Sequence, residues 1–101
     1  MSTALSNPQK RYLRGLAHDL KPVLMVGAKG VTASLVAELD KVLEQHELVK
    51  VKVAAEDRET RDTWIADLAA QSTSELVSRI GHTAVFYRRS KDKPLVILPK
   101  G

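Results

Sequence analysis

The stretch VLMVGAKGVTASLVAEL, Val23 to Leu39, decides how this chain folds. Val23 to Val26 is apolar without alternation, the pattern of a strand covered on both faces or held in a parallel sheet. Gly27-Ala28-Lys29-Gly30 follows. Thr32 then stands as a cap ahead of Leu35, Val36, Leu39, Val42 and Leu43, which repeat at helical spacing as far as His46. The stretch therefore predicts a strand that passes into a helix across two glycines.

On the N-terminal side, the sequence predicts a helix from Asn7 to Asp19, capped by Asn7 with Pro8 at its first position. Leu13, Leu16, Ala17 and Leu20 mark its buried stripe, and Lys10, Arg11, Arg14 and His18 share an arc of roughly 100° beside it. Lys21-Pro22 ends it, because a residue before proline is pushed toward extended geometry. On the C-terminal side, Leu48 to Val53 alternates strictly, with Val49, Val51 and Val53 inward and Lys50 and Lys52 outward. Glu56 to Thr60 is a polar connection and cap into a third helix, whose apolar face is Trp64, Ile65, Leu68 and Ala69. Leu76 to Ile80 and Thr83 to Tyr87 read as a hairpin about Gly81-His82. Leu95 to Leu98, bounded by Pro94 and Pro99, suits a short edge strand. The order is α-β-α-β-α-β-β. Helices between strands imply a parallel crossover and the hairpin makes the sheet mixed, so the expected fold is an α/β domain with a mixed four-stranded sheet.

At 101 residues the chain is one domain, with a core of about residues 7–89 and a basic tail or edge strand over 90–101. It has no cysteine, which excludes disulfides, thiol nucleophiles and zinc–thiolate sites. No signal-peptide pattern or membrane-length apolar run is seen, so a soluble cytoplasmic protein with no membrane partner is expected. Charge is segregated. Residues 1–30 hold five bases and one acid, net +4; residues 31–87 hold six bases and ten acids, net −4; residues 88–101 hold five bases and one acid, net +4. Basic ends on one side of the fold would form a polyanion-binding face, and solvated termini are the plainer alternative.

Glycines at the start of a helix give GAKG a chemical reading. The first N–H groups of a helix lack intrahelical acceptors and, with the helix dipole, favour an anion. Two glycines let a sugar-phosphate chain come close, and Lys29 adds a charge at the tip. This is the GXXG logic of a KH-like backbone clamp. A purely steric turn would use the same residues. The Walker A and dinucleotide patterns are both absent. The neighbours favour the clamp: Lys10, Arg11, Arg14, His18 and Lys21 precede it, Lys50 and Lys52 lie on the next strand, and Arg88 and Arg89 follow the hairpin. Catalysis is poorly served. His18, His46 and His82 are dispersed, so no metal or other cofactor is expected, and the carboxylates Glu56, Asp57, Glu59 and Asp62 suit a helix start. Trp64 falls in phase with the core, and aromatics at 4% are too few for a base-stacking platform. Two rivals remain: an adaptor whose basic face meets an acidic protein, and a phosphate-ester enzyme using the carboxylate cluster.

The ordered set Leu13, Ala17-His18, Leu20-Lys21-Pro22, Val26 to Gly30, His46 to Lys52, Ile80-Gly81 and Tyr87-Arg88 resembles the CRM domain, named for chloroplast RNA splicing and ribosome maturation. The likeness covers about Asn7 to Arg89 and is nearest to its stand-alone bacterial YhbY-type branch. The resemblance implies a fold similar to the C-terminal domain of translation initiation factor three, with a KH-like GXXG loop. It also implies RNA binding and association with precursors of the large ribosomal subunit; a monomer without enzymatic activity, with ribosomal RNA as its partner, is expected. Gly27, Ala28, Lys29 and Gly30 would form the clamp, with the flanking bases as phosphate contacts.

Overall fold

The computed structural model describes residues 5–90, so the strand expected at Leu95 to Leu98 lies outside the described residues. Three helices and four strands follow in the expected order: α1 (Asn7–Ala17), β1 (Leu24–Val26), α2 (Ala33–His46), β2 (Leu48–Val53), α3 (Arg58–Ser72), β3 (Glu75–Ile80) and β4 (Thr83–Tyr87). They build one mixed sheet in the order β1-β2-β4-β3. The α2 crossover makes β1 parallel to β2, whereas β4 runs antiparallel to both its neighbours.

Alternation along β2 sorts the core into two halves. Val49, Val51 and Val53, with Val26, Ala84 and Phe86, lie beneath Leu39 and Leu43 of α2 and Ile65 and Leu68 of α3. On the opposite face Leu48, Val77, Val85 and Tyr87 meet Leu13 and Ala17 of α1. The sheet is thus sandwiched between two helices and one. The single helix packs across β2, β3 and β4 and leaves the β1 edge open. Of the two readings of Val23 to Val26 the parallel one holds, since β1 pairs parallel with β2; the strand starts at Leu24, and one face stays open, with Val23 and Met25 57% and 58% exposed. The helix packing also explains why Lys50 is half-buried rather than fully outward, since α1 stands beside it.

Local chemistry moves some boundaries. Ser6, not Asn7, caps α1. Its Oγ accepts from the Gln9 N–H at 3.2 Å, and Gln9 Oε1 accepts from the Ser6 N–H at 3.0 Å, a reciprocal box that outcompetes a single asparagine cap. Pro8 accordingly occupies the second helical position, and the helix ends at Ala17 rather than Asp19. Leu16 and Leu20 remain 40% and 38% exposed, so only Leu13 and Ala17 anchor α1. Thr32 caps α2 as expected, accepting from the Leu35 N–H at 3.1 Å. Asp57 caps α3 through the Thr60 N–H at 2.8 Å. The hairpin turns at Gly81, whose φ of +57° suits the first position of a two-residue turn, and β3 carries a bulge between Leu76 and Ser78.

Glu47 closes α2 with φ of +63° and is fully buried. Its N–H donates to the Leu43 carbonyl, its own carbonyl accepts from the Arg88 N–H, and its carboxylate accepts from the Ser90 N–H at 2.6 Å. One residue thereby fastens the α2–β2 turn to the end of β4. No helix among the described residues is long and apolar enough to cross a membrane.

Candidate nucleic-acid interface

Gly27 to Gly30 sits where β1 ends and forms a tight turn closed by the Gly30 N–H donating to the Gly27 carbonyl at 3.0 Å. The two glycines have different reasons. Gly30 has φ of +71°, and a Cβ there would lie 3.1 Å from three atoms of the Trp64 indole. It is glycine because the fold requires it. Gly27 lacks a positive φ, and a Cβ placed on it meets nothing within 4 Å. The fold does not need that glycine. Ala28 and Lys29 form the exposed tip, and their N–H groups have no acceptor among the described residues. Behind them the Ala33 and Ser34 N–H groups open α2, whose Thr32 hydroxyl has taken the Leu35 donor.

Register places the other bases. Lys52 pairs with Met25 and Thr83 and points to the α1 side of the sheet, near the GAKG end. Lys50 lies two residues back, about 7 Å along the same strand, where Arg14 of α1 and His18 at its C-cap line a cleft with it. Lys21 stands at the opposite end of β1 from Lys29, beside Leu20 and Val23. Lys10 and Arg11 continue the α1 row one turn further on. Among the described residues none of Lys10, Arg11, Arg14, Lys21, Lys29, Lys50 or Lys52 forms an ion pair. Seven cations thus share the α1 layer, the open strand face and the loop at its end.

Arg88 is not part of this group. Its guanidinium donates to the Asp40 carboxylate, to the Asp40 and Ser72 carbonyls, and at 3.5 Å to Glu44, tying α2, α3 and β4 together. Arg88 and the exposed Arg89 follow Tyr87, which pairs with Leu48, so they lie at the end of the sheet away from GAKG. Of the ten acids between residues 31 and 87, eight belong to α2, α3 or the segment leading into α3. That layer covers the other face. Glu47 is buried, and Glu75 begins β3 at the distant end.

The perturbed groups are structural. Hydrogen bonds from the Thr60 hydroxyl and backbone hold the Asp57 carboxyl below its usual range. Burial, reinforced by Glu47, pushes the Tyr87 hydroxyl up. Asp57 caps α3 on the acidic side, and Tyr87 is buried beneath α1 at the end of the sheet away from GAKG. No group of three His, Cys, Asp or Glu side chains suited to a metal occurs among the described residues. Sequence reasoning missed Thr83 and Ser78, which reach the cleft beside Lys50 only through strand pairing.

An α/β sheet with acidic helices behind and unpaired bases in front defines a polyanion-facing module. The chain belongs to the CRS1 / YhbY (CRM) domain family, whose model matches residues 5–88. It is 46% identical over 90 residues to a Haemophilus influenzae protein named as an RNA-binding protein, covering 89% of this chain and 91% of that one. A Bacillus subtilis protein named as a probable RNA-binding protein is 38% identical over 95 residues, covering 94% and 99% of the two chains. The solution structure of a Staphylococcus aureus protein, described as a candidate RNA binder, superposes with a TM-score of 0.82 at 36% identity, covering 95% of this chain and all of that one. These relatives are described by RNA binding rather than by any enzymatic reaction.

Proposed function

We propose that this chain binds RNA through the GAKG turn and the α1 face of the sheet, as a cytoplasmic monomer acting on precursors of the large ribosomal subunit. Gly27 carries the reading: a glycine that the fold leaves free, at a turn with open N–H donors, gains meaning only when something outside approaches the backbone. Lys29 supplies charge at the tip, Lys21, Lys50, Lys52, Arg14, Lys10 and Arg11 neutralise phosphates on either side, and His18 offers a hydrogen bond beside them. The relatives' names as RNA-binding proteins support RNA as the polyanion, and the likeness to ribosome-maturation domains supports the ribosomal precursor as its source.

The test is Gly27→Ala paired with Lys29→Ala, both measured for folding by circular dichroism and for affinity toward in-vitro-transcribed large-subunit precursor RNA. Folding should be unchanged, because a Cβ at Gly27 meets nothing. Affinity should fall several-fold in each. Unaltered affinity in a folded Gly27→Ala protein would overturn the clamp. Crosslinking in cells with sequencing of bound fragments should return large-subunit precursor sequences, and a transcriptome without them would remove the ribosomal assignment.

A further inference from the structure

The half-covered face of the sheet leaves a cleft between the C-terminal part of α1 and strands β2, β4 and β3, with a volume of about 230 Å³. Its floor is apolar, made by Ala17 and Val85, and Ile80 forms a lip that is 79% exposed. Ser78 and Thr83 place hydroxyls along the same wall, and neither has a hydrogen-bond partner among the described residues. Arg14, His18 and Lys50 complete the rim, and no carboxylate lines it. A bare phosphate site would have little use for an apolar floor. A protein partner would have to offer acids to every cation around it while filling a cleft of single-residue dimensions.

From this arrangement we propose that the cleft receives one unpaired nucleotide of the bound RNA. The proposal rests on the RNA-binding reading above and adds to it a preference for single-stranded or bulged positions. A splayed base sets its face against Ile80, Val85 and Ala17, with the Arg14 guanidinium or His18 ring able to stack over it. The free hydroxyls of Ser78 and Thr83 can donate to or accept from the base edge. Lys50 holds the attached phosphate, and Lys52 carries the strand onward to GAKG. Paired bases inside an A-form helix cannot enter, because their faces are stacked and their edges lie in the grooves. The GAKG turn grips backbone without regard to pairing; the cleft distinguishes paired from unpaired.

Two RNA hairpins of identical stem sequence, one carrying a single bulged uridine, provide the test by fluorescence anisotropy at fixed salt. The wild-type chain should prefer the bulged hairpin by about tenfold, the effect of one stacked base. Ser78→Phe fills the cleft and Ile80→Ser strips its lip. Both should bring the preference to about unity while leaving affinity for the unbulged hairpin intact. Ile80 is exposed, so its variant decides the matter if Ser78→Phe fails to fold. Replacing the bulge by 4-thiouridine should direct crosslinks to residues 14–18 or 78–85. A wild-type chain without preference, a preference that survives Ile80→Ser, or crosslinks confined to residues 27–30 would overturn the nucleotide site and leave the backbone clamp standing. Failure to hold either hairpin at low salt would remove the RNA-binding reading itself.

Discussion

At the scale of single residues, the two glycines of GAKG differ in what the fold asks of them. Gly30 combines a positive φ with an indole 3.1 Å from any added Cβ, so Gly30→Ala must shift Trp64 and strain the turn together. A loss of about 1–3 kcal/mol is expected in urea unfolding, against no more than about 0.5 kcal/mol for Gly27→Ala. Equal stabilities for the two variants would show that the Trp64 contact does not constrain the turn. This division could not be read from the sequence, where both glycines look alike. The ring that distinguishes them belongs to α3, far along the chain. Arg88 escaped for the same reason. As a basic residue after a strand it resembles a nucleic-acid contact, and only the fold brings Asp40 and Glu44 against it.

At the scale of elements, α1 is the least secured part of the molecule. Leu13 and Ala17 alone anchor it, because Leu16 and Leu20 reach past the sheet toward the open β1 edge. Leu13→Ala should cost about 2–5 kcal/mol, and amide exchange should show α1 protection lost ahead of the α2–α3 side of the core. Simultaneous loss everywhere would mean that the two core halves unfold as one unit. The cap of α3 gives a pH signature. Asp57 has a lowered folded pKa relative to its ordinary 3.8, so its contribution is present above that value and is lost as pH falls through the lower folded value. The stability difference between wild type and Asp57→Asn should therefore be visible near neutrality and shrink in strong acid. The order of elements was legible because period-2 and period-3.6 patterns alternate cleanly along the chain. Burial was less so: the stripe of α1 shows which residues are apolar, but not that the sheet beneath it is wider than one helix.

At the scale of the whole molecule, charge segregation along the sequence becomes segregation across the sheet. Acidic α2 and α3 form one layer and the unpaired bases of α1 and β2 occupy the other, while the GAKG turn sits at the end of β1, with Gly30 against Trp64 of α3. The N-terminal bases and GAKG could be grouped from sequence, since they adjoin one another. Lys50 and Lys52 gained their place from strand register, while the far-end position of Arg88 and Arg89 depended on the direction of β4. This geometry fixes how binding should respond to salt. If six of the seven grouped cations meet phosphates, the plot of log affinity against log salt should have a slope of about −4 to −5. Replacing Lys50 or Lys52 by alanine should make that slope shallower by about one unit each. Arg88→Ala should destabilise the fold by about 1–3 kcal/mol through the partners it leaves behind, yet keep the slope unchanged below the unfolding transition. A slope that responds to Arg88 as strongly as to Lys52 would move the RNA to the opposite end of the sheet and overturn the assignment of this face.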